Sequence, residues 1–125
     1  MIEVEVANRS GVTVDAPGAV ALAQRVLAAE GIEAAELGIA FVGSDEIREL
    51  KSLHLGLDEA ADVLSFPIDG RERLPAGVPR QLGDAVLCPQ VTGEAWRQPL
   101  VHGLLHLLGY EHGSEMEAKE QSWRA

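Results

Sequence analysis

Three of the four histidines in this 125-residue chain are close together, at positions 102, 106 and 112. His102 and His106 are four residues apart, so on a helix they share one face, about 6 Å apart along the axis at ~1.5 Å per residue. Gly109 follows, and glycine readily takes the left-handed backbone conformation that ends many helices. We therefore expect the helix to end there and the chain to turn back, which brings His112 to the other two imidazoles.

Three imidazoles that meet at one point are typical of a zinc site that keeps a fourth position open for water or substrate. The alternative is a packed core in which ordinary hydrogen bonds satisfy the ring nitrogens. The neighbouring residues are apolar and include leucines at 104, 105, 107 and 108. Burying three imidazoles among them is costly unless something satisfies their nitrogens. The pattern therefore favours a metal site with hydrolytic chemistry, because zinc lowers the pKa of bound water from about 15.7 to about 7.

Hydropathy and turn signals predict the elements that position this segment. Strands are predicted at 2–8, 37–42, 62–67 and 83–88. Helices are predicted from Pro17 to about 30, from Ser44 with a buried stripe of Ile47, Leu50 and Leu53, from about 94 or 98 to 108, and from about 114. The order predicts one α/β domain over 1–125: a mixed four-stranded sheet with helices on its faces and the histidine site at the C-terminal helix.

Composition and charge restrict the class of partner. The formal net charge is −10, which argues against a general DNA or RNA binder. The charge is uneven, because residues 1–60 hold 11 acids and 4 bases and residues 61–125 hold 9 acids and 6 bases. No apolar run approaches the ~20 residues that span a membrane, and the N-terminus has no signal-peptide pattern. With a single cysteine, Cys88, expected to be buried, we expect a cytoplasmic protein without membrane or DNA partners.

The histidine spacing also matches a protease pattern, H-E-x-x-H-x-x-G-x-x-H, in which the glutamate is the general base. This chain reads H-G-L-L-H-L-L-G-Y-E-H over residues 102–112. The three histidines and the glycine are in register, but Gly103 stands at the glutamate position and cannot carry a proton. A peptidase with that mechanism is therefore disfavoured, although Glu111 is a candidate to take the role of the missing carboxylate.

The same eleven residues resemble the signature of the YbeY family, bacterial ribosomal-RNA maturation factors described as metal-dependent endoribonucleases. Two further stretches resemble strand motifs of that family in the same order, Asp-Val-Leu-Ser-Phe-Pro at 62–67 and Leu-Gly-Asp-Ala-Val-Leu-Cys at 82–88. The resemblance implies one zinc ion on His102, His106 and His112. It also implies a hydrolase that cleaves single-stranded RNA in small-subunit ribosomal RNA processing and ribosome quality control.

The departure from the family pattern that bears most on catalysis lies before the first strand motif. The family carries an arginine shortly before its first strand motif, and the matching residue here is Leu55, which cannot contact a phosphate. Three arginines of the loop at 68–80 are candidates to bind the substrate in its place, although the alternative for them is a solvated surface loop. They are Arg71, Arg73 and Arg80. His54, next to Leu55 in the chain, is a further candidate. Asp62 and Glu111 are the candidate catalytic groups.

Leu55 also keeps a second function open. In that alternative the protein is a ribosome-assembly binding factor in which structural zinc holds the C-terminal helix, with little nuclease activity. In both cases the partner is ribosomal RNA. We expect small-subunit ribosomal proteins or assembly factors to supply much of the affinity for it, because the chain itself is acidic.

Overall fold

The strands form one mixed sheet in the computed structural model, which describes residues 1–53 and 63–124. They are β1 (Ile2–Asn8), β2 (Ala35–Phe41), β3 (Val63–Pro67) and β4 (Gln81–Leu87), in the spatial order β1-β2-β4-β3. β2 pairs in parallel with both β1 and β4, whereas β3 pairs antiparallel with β4. The predicted four-stranded mixed sheet is confirmed.

The helices of the described residues are α1 (Ala16–Ala29), α2 (Ser44–Leu53), α3 (Pro89–Thr92), α4 (Arg97–Leu107) and α5 (Ser114–Ser122). The sequence did not predict α3, because a four-residue helix is too short to show a hydrophobic period. α4 begins at Arg97 rather than Glu94. Pro99 therefore lies in the first turn, where a backbone N–H has no helical partner to lose. None of these helices is long and apolar enough to cross a membrane.

The main core lies between one face of the sheet and helices α1 and α4. Alternate residues of β2 point into it, and Leu37, Ile39 and Phe41 are all buried. A smaller cluster under α2 covers part of the opposite face and includes Val42, Ile47, Leu64, Val86 and Cys88. Helices therefore lie on both faces of the sheet, as predicted.

The predicted buried stripe of α2 is wrong at its last residue. Ile47 is buried and Leu50 packs against the smaller cluster, but Leu53 is 69% exposed. Burial decreases along the helix from Ile47 through Leu50 to Leu53. Leu53 therefore presents its side chain to solvent at the end of α2.

α4 packs closely on β3 and β4 because it carries a glycine on the side that faces the sheet. A Cβ atom at Gly103 would lie 3.1 Å from Val63 Cγ2 and 3.2 Å from Ser65 Oγ. The Ser65 hydroxyl donates to the Gly103 carbonyl over 3.0 Å and ties the helix to β3. His102 and His106 are only half-buried. Gly103, which occupies the position of the protease glutamate, therefore faces the core and not the histidine site.

The substitution Gly103→Glu completes the protease letter pattern but puts a carboxylate into this packed interface. We expect the free energy of unfolding to fall by about 3 kcal/mol or more, because a buried charge without a partner is strongly destabilising. We expect no peptidase activity. Chemical denaturation measures the effect, and Gly43→Glu is the matched control, because nothing lies within 4 Å of a Cβ at that position. Equal stability of the two variants would contradict the packing described for α4.

Candidate metal centre

The end of α4 brings the three histidines together. Gly109 has a φ of +96°, and its N–H donates to the His106 carbonyl over 3.0 Å. The N–H of Tyr110 donates to the carbonyl of the residue before His106 over 3.1 Å. This pair of hydrogen bonds ends a helix at a left-handed glycine and reverses the chain. His112 consequently returns to the side of α4 that carries His102 and His106, as the sequence predicted.

The three imidazoles lie within the dimensions of a single metal site. Ring centroids are 4.6 Å apart for His102 and His106, 4.7 Å for His106 and His112, and 5.2 Å for His102 and His112. One ligand nitrogen from each ring lies within 4.8 Å of the other two. The Nε2 atoms of His102 and His106 are 3.1 Å apart. Two nitrogen ligands of a tetrahedral zinc ion lie about 3.3 Å apart when each bond is about 2.0–2.1 Å, so His102 and His106 have the spacing of two ligands of one ion, and the three residues together could hold a metal.

Two of the rings are held by contacts on their outer edges. The Nδ1 atom of His106 lies 2.9 Å from the Tyr110 carbonyl, which accepts its hydrogen. The Nδ1 atom of His102 contacts the carboxylate of Glu120. Histidines that bind metals almost always donate their second ring N–H to a carboxylate or a backbone carbonyl, which fixes the tautomer and the ring orientation. The Nε2 atoms lie on the opposite edges of the two rings and face each other, so one cation could bind both.

Comparisons with known proteins assign the chain to a family. The family model described as Endoribonuclease YbeY matches residues 5–123. The chain belongs to the endoribonuclease YbeY family. The resemblance inferred from the three sequence motifs is therefore confirmed.

Individual relatives match over most of their length. A protein named Endoribonuclease YbeY from Salinispora tropica is 34% identical, and the match covers 99% of this chain and 98% of that protein. One of the same name from Beutenbergia cavernae is 39% identical over 93% of this chain and 87% of its own. The solution structure of TM1509 from Thermotoga maritima is similar with a TM-score of 0.52 and 25% identity, covering 98% of this chain and 85% of that chain.

α5 packs against α4, and this contact supplies Glu120. Met116 is 1% exposed and anchors α5 in the core. The Gln98 side-chain amide donates to the Glu120 backbone carbonyl over 3.3 Å. The sequence did not predict a role for Glu120, because α5 also carries Glu115 and Glu117 and no hydropathy pattern distinguishes the glutamate that faces His102. The only signal available was a polar helix close behind the third histidine.

An open cavity of about 580 Å³ adjoins the histidine cluster. Its wall includes both charged and polar side chains, among them Arg71, Tyr110, Glu111, His112, Ser114 and Glu115. Of the three candidate arginines, Arg71 lines this wall. The candidate catalytic residue Glu111 is exposed there, next to His112 in the chain. Of the three histidines, His112 lines this cavity, so a substrate in it would lie beside one ring of the cluster.

The remaining predicted site residues lie elsewhere or outside the described residues. Arg80 donates from Nη1 to the Gly70 carbonyl over 2.7 Å, so it braces its own loop. Arg73 is exposed in the same loop. His54, Leu55 and Asp62 belong to the segment 54–62, which is not among the described residues. Their roles stay predictions.

The phenol of Tyr110 and the ammonium of Lys119 both lie beside a buried glutamate near the site. The Tyr110 hydroxyl donates to Glu30, and this hydrogen bond together with burial raises the pKa of the phenol above its ordinary value. Hydrogen bonding and charge attraction to Glu30 likewise raise the pKa of Lys119. Tyr110 therefore stays a hydrogen-bond donor and Lys119 stays cationic at neutral pH.

The substitution Glu120→Gln tests the outer contact of His102. The amide is isosteric but uncharged, so it holds the Nδ1–H less firmly, and we expect zinc affinity to fall by about 10- to 100-fold. Competition with a chromophoric chelator measures the dissociation constant. Glu117→Gln is the matched control, because Glu117 is exposed on the same helix. Zinc affinities that are equal in the two variants would show that the Glu120 contact does not orient His102.

Proposed function

We propose that this chain is a zinc-dependent single-strand endoribonuclease that acts in ribosomal RNA maturation and ribosome quality control in the cytoplasm. The observation that carries the proposal is the convergence of His102, His106 and His112 beside an open cavity that also contains a guanidinium. Membership in the family of proteins named Endoribonuclease YbeY supports RNA as the substrate.

Each group at the site has a chemical role in this proposal. Zinc on the three imidazoles would supply a Lewis acid that lowers the pKa of water and stabilises charge on a phosphoryl oxygen. Glu120 and the Tyr110 carbonyl hold two of the rings in the orientation that binding requires. Glu111 on the cavity wall, with Asp62 as the other candidate, would accept the proton of the attacking water. Gly103 has no such role, because it faces the sheet.

Arg71 is the cation that the cavity offers to a phosphate. Its side chain is 45% exposed, and Nη1 and Nη2 both contact Glu30. A guanidinium has five N–H donors, so it can bind a carboxylate on one side and a phosphate on another. Arg71 could thus replace the arginine that is missing at Leu55. Arg73, Arg80 and His54 stay candidates for contacts farther along the RNA.

The net charge of −10 restricts how the RNA is bound. An acidic protein gains little from counterion release, which supplies most of the affinity of non-specific RNA binding. We therefore propose that ribosomal small-subunit proteins or assembly factors present the RNA. The enzyme itself would contribute the metal and the local contacts around the scissile phosphate.

Cleavage of single-stranded RNA by the purified protein, with and without chelator, tests the proposed function. We expect cleavage by the zinc-loaded protein, and we expect chelator or the substitution His106→Ala to reduce it to background, because either removes the metal. Gln121→Ala, at an exposed position on α5, is the control for contaminating nuclease and for general damage. Cleavage that persists unchanged in His106→Ala would contradict the proposal.

Leu55 favours one other function, an assembly factor in which zinc is structural and nuclease activity is small. The leucine stands where the family has an arginine, and it cannot stabilise the charge that develops on a phosphate. In this alternative the histidine site serves only to fix α4 against α5.

The substitution Leu55→Arg separates the two functions. If the chain is a nuclease, we expect the restored guanidinium to raise the cleavage rate by about tenfold or more, since a single well-placed donor contributes about that much or more to such reactions. RNA cleavage with saturating zinc is the measurement. Absence of cleavage by both proteins, each with one zinc ion bound, would favour the assembly factor.

A further inference from the structure

A buried glutamate at the end of α1 lies close to the histidine site. The side chain of Glu30 is only 4% exposed. Gly31 follows with a φ of +83°, and its N–H donates to the Ala28 carbonyl over 3.0 Å. α1 thus ends at a left-handed glycine in the same manner as α4. The sequence alone does not distinguish Glu30, because charged residues at helix ends are common.

Three cationic or hydroxyl donors converge on this one carboxylate. The Tyr110 hydroxyl donates to Oε1 over 2.6 Å, and Nη2 of Arg71 donates to the same atom over 2.8 Å. Nζ of Lys119 lies 3.4 Å from Oε2. Arg71 also donates from Nη1 to the Glu30 backbone carbonyl over 3.1 Å. A buried carboxylate is stable only with such partners, so the four residues hold one another in place.

Two of these donors belong to the segments that hold the outer edges of the imidazoles. Tyr110 uses its hydroxyl for Glu30 and its backbone carbonyl for Nδ1 of His106. Lys119 precedes Glu120, whose carboxylate contacts Nδ1 of His102. Glu30 therefore fixes both the turn after α4 and the stretch of α5 on which the orientation of two rings depends.

We propose that Glu30 is a positioning residue for the histidine site, which preorganises His106 through Tyr110 and His102 through the segment Lys119–Glu120. The inference rests on the proposed function in one respect, the binding of a metal ion by the three histidines. It adds a residue that touches neither metal nor substrate and that lies on a different element of the fold.

A purely structural role is the competing explanation, because Glu30 also ties α1 to α5. The two explanations differ in what they predict for the folded protein. A structural residue changes the free energy of unfolding and leaves metal affinity unchanged once the chain is folded. A positioning residue also changes the affinity and the ligand geometry of the folded protein.

The test is the zinc dissociation constant of Glu30→Gln, measured by competition with a chromophoric chelator, together with the visible absorption of the Co²⁺-loaded protein. We expect zinc affinity about tenfold weaker, at the low end of the loss caused by removing a direct outer contact, and a changed Co²⁺ spectrum. Glu46→Gln is the matched control, because it removes a carboxylate that pairs with Arg9 over 2.7 Å on the exposed side of α2. The control should keep the affinity and the spectrum of the unmodified protein.

Tyr110→Phe removes the hydroxyl and keeps the carbonyl that His106 uses, so it tests the link without removing a buried charge. We expect weaker zinc binding than in the unmodified protein. In the double variant with Glu30→Gln, we expect the second change to add less than it does alone, because both break the same contact. If Glu30→Gln does not fold by circular dichroism, the result for Tyr110→Phe decides alone.

Zinc affinities and Co²⁺ spectra that match the unmodified protein in both variants, with only lower unfolding free energies, would overturn the positioning role and leave the proposed function intact. Absence of zinc binding by the unmodified protein would overturn both. Weaker binding in Glu30→Gln and Tyr110→Phe but not in Glu46→Gln would support the proposal.

Discussion

The site depends on contacts at the outer edges of the histidine rings. Imidazoles whose ligand nitrogens lie within 4.8 Å of one another need partners that decide which nitrogen carries the hydrogen. The Tyr110 carbonyl fixes this for His106, and the Glu120 carboxylate fixes it for His102. Each contact holds its ring so that the Nε2 atom faces the other ring. The ligand nitrogens that this brings close together could then hold one metal ion.

The ends of two helices, together with the close packing of α4 on β3, make those contacts possible. α4 and α1 both finish at a glycine with positive φ, Gly109 and Gly31, and each ending directs a functional group toward the same region. Gly103 lets α4 lie directly against β3, where Ser65 holds its carbonyl. The sheet therefore fixes α4, α4 fixes the turn, and the turn delivers both His112 and the carbonyl that orients His106. A hydrolase built in this way needs a general base from outside α4. The position at which the protease pattern has its glutamate is Gly103, which packs against the sheet.

The sequence alone predicted the parts of this account that follow from local periodicity. The i and i+4 spacing, with Gly109 as the helix end, predicted that three histidines meet, and alternation predicted the strands. Contacts between distant residues were out of reach: His102 and Glu120 are 18 positions apart, and Glu30 and Tyr110 are 80 apart. Nothing in the local sequence distinguishes Glu120 from its exposed neighbours or Glu30 from a solvated helix end. Leu53 shows the opposite error, because its spacing fits a buried stripe although its side chain is exposed.

X-ray absorption at the zinc edge of the purified protein, combined with metal content by native mass spectrometry, tests the central claim most directly. The account predicts one zinc ion per chain with three imidazole nitrogens at about 2.0–2.1 Å and a further light ligand. Protein that takes up no zinc, or zinc bound by fewer than three imidazoles, would contradict it.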